Sequence, residues 1–326
     1  MSSTIDTVEI EGKLQALSQH AWDMEVEWPR IQEWLGNFDG LCLEREEERA
    51  YALYFLTKYM YFSKRLVREM LKSLYRDHFA SPLKQRIRRN FKGTFDFRLI
   101  NSLFRQELHS TRFIGVGNPS ESGAHLLYYF RQVNSLPRDI FCDFHEAFYP
   151  SGYATAASGG REVVYLPRRP GIRRYVFFDD LVGSGTQVTT YMARDLKSIR
   201  KNVPGIDIRF VSLFSTSSGM KTLNGPDLFD GNATALFELD DSYKAFCDNS
   251  RYFKGENPVW FDQLRLNSMS HAYGSSLVPS DPLGYKDGQL LLAFPHNTPD
   301  NAPPIFWFDH ASQPWTPVFP RFNKSY

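Results

Sequence analysis

The sequence predicts an α/β protein, a mostly parallel sheet with an α-helical region before it and a C-terminal, hood-like extension after it. Three observations point there. From about Val8 to Phe91, apolar residues recur at three- and four-residue spacing with Lys and Arg opposite, as in ERAYALYFLTKYMYFSKRLVREMLKSLYRDHF, the pattern of amphipathic helices. Near Phe113 the texture changes to short apolar runs, each closed by Gly, Ser, Asp or Pro: RFIGVGNPSESG, REVVYLPRRPG, RRYVFFDDLVGSG, IDIRFVSLFSTSSG and ATALFELDD. Such runs are compatible with buried strands. Two of them lead into helix-like segments, AHLLYYFRQVNSL and QVTTYMARDLKSIRKNV, so strand, loop and helix alternate as in a parallel sheet. The chain then divides into a helical region, 1–105, an α/β core, 106–245, and an extension, 246–326, rich in Pro, Asn and aromatic residues.

Composition narrows the function classes. Of 326 residues, 42% are hydrophobic, enough for a large core, and 38 Lys+Arg against 37 Asp+Glu leave a net charge of +1. No global field marks a nucleic-acid or membrane partner. The opening MSSTIDTVEIEGKLQ has neither a basic nor an apolar leader region, and no stretch reaches the ~18 apolar residues that a membrane span needs. The expectation is a cytoplasmic protein with no membrane partner. Cys42, Cys142 and Cys247 are odd in number and far apart, which suits a reducing compartment and buried, inert thiols.

The chemistry concentrates in YVFFDDLVGSGTQ. Tyr175, Val176, Phe177 and Phe178 form a buried strand, and Asp179 and Asp180 follow where the strand should leave the sheet, the edge at which ligands sit in such folds. Two adjacent acids with no base in the run would repel each other if buried, so a ligand with hydroxyl donors, such as a ribose diol, or a divalent cation explains them. Gly183, Ser184, Gly185 and Thr186 come next, small residues whose amides and hydroxyls can close on a phosphate at the start of a helix. The alternative is a solvated turn. A Walker B strand would need a Gly-Lys-Ser or Gly-Lys-Thr loop, and none occurs; a haloacid-dehalogenase start would need an acid where Leu181 stands; and no G-x-G-x-x-G is complete. HExxH and Cys/His zinc patterns are missing too.

The order of acids, two apolar residues and small-residue loop resembles the phosphoribosyl pyrophosphate signature of the type I phosphoribosyltransferases. The resemblance implies that fold, and phosphoribosyl pyrophosphate or a related nucleotide as ligand, with magnesium as cofactor. Carried over, Asp179 and Asp180 are the catalytic acids, contacting the ribose hydroxyls directly or through the metal, and Gly183, Ser184, Gly185 and Thr186 hold the 5′-phosphate. Purine-specific members often place an acid at the first loop position; Gly183 stands there, as in the orotate type, so a general base must come from elsewhere. A second loop, Gly117, Asn118, Ser120, Glu121, Ser122 and Gly123, opens a helix after the earlier strand Phe113–Val116 and would bind the pyrophosphate, although alone it reads equally as a capped connection. Between the two lies FHEAFYPSGYATAASGGREVVYLPRR, a candidate lid, and another strand candidate that the family order requires; its Arg161, Arg168 and Arg169 are either solvated loop charges or contacts to a pyrophosphate.

A narrower resemblance lies in LLLAFPHNTPDNAPPIFWF, after Gly284-Tyr285-Lys286-Asp287-Gly288, which is similar to the tail of a divergent phosphoribosyltransferase-like family of bacterial conflict systems, retron-type defence systems included. It implies an antiviral effector with a protein or nucleoprotein partner. His296, Asn297, Thr298 and Asn301 either bond their own loop's backbone or face the acceptor. The basic run Lys84, Arg86, Arg88, Arg89 and Lys92 is a solvated helix face or a phosphate contact, and the aromatics Tyr51, Tyr54, Phe55, Tyr59, Tyr61 and Phe62 are a core or a docking face. The competing function is a non-catalytic module that senses ribose phosphate or docks a partner.

Overall fold

The computed structural model describes residues 5–117, 122–155, 161–311 and 313–322. Three helices come first, α1 (Val8–His20), α2 (Trp28–Leu35) and α3 (Arg45–Leu56), then the short strand β1 (Met60–Tyr61) and helices α4 (Lys64–Tyr75), α5 (Ser81–Asn90) and α6 (Phe97–His109), with a π-helical turn joining α4 to α5. The α/β part follows: β2 (Thr111–Gly115), α7 (Ser122–Val133), α8 (Phe144–Ala147), β3 (Phe148–Thr155), β4 (Arg161–Pro167), β5 (Arg174–Val182), α9 (Thr186–Asn202), β6 (Asp207–Thr216), α10 (Ser217–Leu223) and β7 (Ala233–Leu239). Helix α11 (Gln263–Leu277) and strand β8 (Leu292–Ala293) complete the order. Among the described residues no helix is long and apolar enough to cross a membrane.

The chain forms two compact units, one of Arg68–Leu239 and one that joins Met1–Val67 to Asp240–Tyr326. This differs from the three consecutive regions, 1–105, 106–245 and 246–326, that the sequence suggests. The reason is packing. Phe79, in the π-helical turn, sets its ring 5.0 Å from that of Phe113 in β2, so the helices after Arg68 complete the sheet's own core. In the other unit β1 pairs in parallel with β8, Met60 opposite Leu292 and Tyr61 opposite Ala293, which ties the N-terminal helices to the C-terminal segment.

That discontinuous unit is held by aromatic burial. Tyr51, Tyr54, Phe55, Tyr59 and Tyr61 lie in one core with Trp34, Phe306 and Phe319, and Phe62 packs on Phe294, so the aromatic run is core and not a docking face. Each fully buried large side chain contributes ~1.5–3 kcal/mol. The buried Glu48 carboxylate accepts from the backbone N–H groups of Gly40, Cys42 and Leu43 and from Tyr273 Oη, which fixes the loop before α3. In the tail, Thr298 Oγ1 donates to the carbonyls of Phe319 and Pro320 at 3.1 Å, Asn301 Nδ2 donates to Tyr285 O at 3.2 Å and Asn297 Oδ1 accepts from Phe322 N at 3.2 Å. These three residues therefore serve their own backbone.

In the other unit, β2, β5, β6 and β7 form a four-stranded parallel sheet in that order, flanked by α7 and α9. Strand β5 is central, and Tyr175 to Phe178 are buried on both faces, as a near-continuous apolar run in a parallel sheet should be. The run REVVYLP behaves otherwise. It is β4, which pairs antiparallel with β3 in a separate hairpin, so β2 and β5 are direct neighbours with no strand between them. Its half-buried residues fit a hairpin better than a sheet centre. The centre of the candidate lid, residues 156–160, lies outside the described residues.

Candidate functional site

Strand register places the acids. The last pair between β2 and β5 is Gly115 with Phe178, whereas β5 continues beside β6 as far as Val182 opposite Ser215. Asp179 and Asp180 thus lie inside the strand but past the end of β2, not beyond the sheet as the apolar run suggests. Successive strand side chains leave opposite faces, which separates the two carboxylates and removes much of their expected repulsion. Asp180 is 8% exposed and lies on the α7 face, where its Oδ1 accepts from Ser122 Oγ at 3.0 Å and from Leu181 N at 2.7 Å. Asp179 is half-buried, and its Oδ1 accepts from Asp180 N at 2.9 Å.

Residues Gly183 to Thr186 join β5 to α9. Gly185 is the N-cap of α9 with φ +74°, a left-handed conformation that glycine adopts without strain, and no side chain caps the helix. The first turn of this 17-residue helix carries no acid, and a helix N-terminus favours an anion. Thr186 is exposed, and its Oγ1 lies 2.8 Å from Ser184 Oγ, so two hydroxyls flank the helix end. Gly183 presents no side chain. Its carbonyl accepts from Thr216 Oγ1 at 2.6 Å, which ties the loop to the end of β6.

The earlier loop comes close through glycine. A Cβ on Gly115 would stand 2.7 Å from Ala124 N, and one on Gly123 would stand 2.9 Å from Phe178 O, so both glycines let α7 press its first turn against the ends of β2 and β5. Gly117 turns the chain with φ +87°. Ser122 then reaches Asp180, which brings members of both expected loops together. Asn118, Ser120 and Glu121 lie outside the described residues.

The donor set suits a hard cation. Two carboxylate side chains stand at the strand end, and among the described residues no group of three or more His, Cys, Asp or Glu gathers anywhere. A metal there would take its remaining ligands from substrate and water oxygens, which is how magnesium is usually held.

The sequence matches the PRTase-CE family from residue 31 to residue 321. The chain belongs to that family, a divergent phosphoribosyltransferase-like one. No curated protein matches it in sequence. Among solved structures, the Helicobacter pylori xanthine-guanine-hypoxanthine phosphoribosyltransferase is similar at 14% identity and a TM-score of 0.22, over 52% of this chain and 94% of that one. The Aeropyrum pernix orotate phosphoribosyltransferase is similar at 16% identity and a TM-score of 0.23, over 45% and 78%. The Pyrococcus horikoshii purine phosphoribosyltransferase is similar at 12% identity and a TM-score of 0.25, over 63% and 99%.

Other features of this PRTase-CE chain escape sequence reading. Gly219 in α10 approaches Gly183 so closely that a Cβ would lie 2.2 Å from the Gly183 carbonyl oxygen, and Thr216 both caps α10 and holds Gly183. Nothing in SLFSTSSG distinguishes these residues from an ordinary turn. A cleft of about 1150 Å³ lies along β2, lined at one end by Gly115 and Gly117 and further on by Arg112, Tyr128 and Arg169, and neither Asp179, Asp180 nor Gly183–Thr186 lines it. In the lid hairpin, Arg168 is engaged, its Nε donating to His145 O at 2.7 Å. The cysteines are free; Cys42 is exposed and Cys142 and Cys247 half-buried, so they are less sequestered than expected. Burial still pushes the Cys142 thiol up to about 12, which makes it a poor nucleophile at neutral pH.

Proposed function

We propose that the protein is a phosphoribosyltransferase that uses phosphoribosyl pyrophosphate, or a related ribose 5-phosphate nucleotide, with magnesium. One observation carries the reading: two carboxylates at the end of a buried central strand lead directly into a glycine-capped helix N-terminus, the order needed for a ribose diol followed by its 5-phosphate. Asp179 and Asp180 serve the ribose hydroxyls, directly or through the metal. The α9 amides and the Ser184 and Thr186 hydroxyls hold the phosphate. Gly117, Ser122 and Gly123 lie at the α7 end, where the helix dipole offsets the charge of the pyrophosphate as it leaves C1. When bound, magnesium supplies further positive charge to that leaving group. A nitrogen nucleophile of the acceptor attacks C1.

Calorimetric titration with phosphoribosyl pyrophosphate, with and without magnesium, tests this. Heat of binding that needs the metal is expected. No heat with any phosphorylated ribose at millimolar concentration would sink the proposal.

A second reading, a ligand-sensing module without turnover, is favoured by Gly183, which brings no acid to the loop and whose carbonyl is already occupied by Thr216. The double change Asp179→Asn with Asp180→Asn separates the two: loss of turnover with the fold intact supports the enzyme, whereas ligand-dependent partner binding without measurable turnover in the native protein supports the module. The antiviral setting belongs to the same proposal, with a protein or nucleoprotein partner. Lys84 lies over the Phe104 ring, Arg86 pairs with Glu107 at 3.5 Å and Arg88 donates to Thr94 O, so the exposed Arg89 and Lys92 are the members of the basic run to probe for such a partner.

A further inference from the structure

We infer that the cleft along β2 is a binding site for an oligophosphate chain, centred on Arg112. None of Gly183–Thr186 lines it, although Gly117 of the loop expected to meet pyrophosphate does.

Two buried arginines make the contrast. Arg174, 5% exposed, is neutralised by Glu107 at 3.0 Å and Asp207 at 2.8 Å. Arg112, 7% exposed, has no carboxylate partner among the described residues; its Nη1 donates to His109 O at 3.1 Å and Thr111 O at 2.7 Å. The His109 carbonyl lies at the end of α6 and offsets part of the charge. Among the described residues nothing accepts from its Nε or Nη2, and Arg112 lines the cleft. A buried charge is costly until an ion pairs with it.

The surroundings say which ion. Arg131, Arg138, Arg168 and Arg169 line the same cleft, so five guanidinium groups face three carboxylates, Asp139, Asp143 and Glu146. Two of those three, Asp143 and Glu146, form the capping box of α8, and the three carboxylates together still leave two guanidinium charges in excess. Guanidinium forks match phosphate oxygens in pairs, and a volume of about 1150 Å³ exceeds what a single phosphate fills. Tyr128 and Phe141 add flat apolar walls that could carry a base.

The test is calorimetric titration of the full chain with inorganic tripolyphosphate. Native protein should bind it, Arg131→Gln with Arg169→Gln should weaken binding at least tenfold at an unchanged melting temperature, and Asp179→Asn with Asp180→Asn should leave it within twofold. Arg112→Gln should abolish binding; because Arg112 also caps α6, the double variant carries the test should that protein not fold. A nucleoside triphosphate distinguishes the source: tighter binding than tripolyphosphate assigns a nucleotide, and equal binding a bare polyphosphate. Failure of the native protein to bind, or binding that survives the arginine changes but is lost with the two aspartates, overturns the site.

Discussion

Ser122 Oγ donates to Asp180 Oδ1 at 3.0 Å, and this bond joins the start of α7 to the end of β5. The loop expected to meet pyrophosphate and the acids expected to meet ribose are thereby set in one register. Ser122→Ala should weaken phosphoribosyl pyrophosphate binding by about 1–2 kcal/mol, the worth of one hydrogen bond to a charged group, with little change in melting temperature. Titration of both proteins checks it; equal affinities would mean that the bond positions nothing.

Gly219→Ala should disturb the phosphate loop from a distance. The new methyl would meet the Gly183 carbonyl oxygen at 2.2 Å and Val182 O at 3.0 Å, backbone atoms that cannot rotate away. Overpacking of this kind costs about 1–3 kcal/mol, and here the strain falls on the loop itself. Both melting temperature and ribose-phosphate affinity should drop. Gly171→Ala, where a Cβ meets nothing within 4 Å, is the control and should change neither.

The Arg174 network gives a pH dependence. Burial raises the Asp207 carboxyl, but hydrogen bonds and charge from Arg209 and Arg174 outweigh it and hold the group below the ordinary carboxylate range. A depressed folded-state pKa means stability that is present above the unfolded value of ~3.9 and is lost as pH falls through the folded one. Asp207→Asn should therefore be less stable than the native protein at pH 7, and the gap should close as the pH drops below ~4. Denaturant melts at several pH values measure it. A gap constant with pH would assign the loss to packing.

Much of the nucleotide-site half was legible because its signals are local. Tyr175 to Phe178 are four large apolar residues in a row, and the acids and small residues that follow them need no distant partner to be read. Legibility ended where pairing decides. Val163 to Leu166 form as apolar a run as β2, yet only the antiparallel register with β3 shows that they leave the main sheet. The opposite facing of Asp179 and Asp180 follows from the strand's persistence to Val182, set by β6 and not by β5's own residues. Met60 and Tyr61 pair with residues more than two hundred positions away in strands two residues long, too short for any periodicity to announce. Arg112 reads as one arginine among many until the missing counter-charge is seen.

The pairing of β1 with β8 bears on how the protein is made. Helices α1–α3 leave the ribosome first, but the strand that completes their sheet, and Phe306 and Phe319 of their core, are synthesised only after all of Arg68–Leu239. The Arg68–Leu239 unit can close on itself while translation continues, whereas the earlier segment must wait with its aromatic residues uncovered. Premature termination between Leu239 and Leu292 would leave that segment without its partner strand, a hydrophobic surface for chaperones and proteases to find, beside a unit whose own residues are all present.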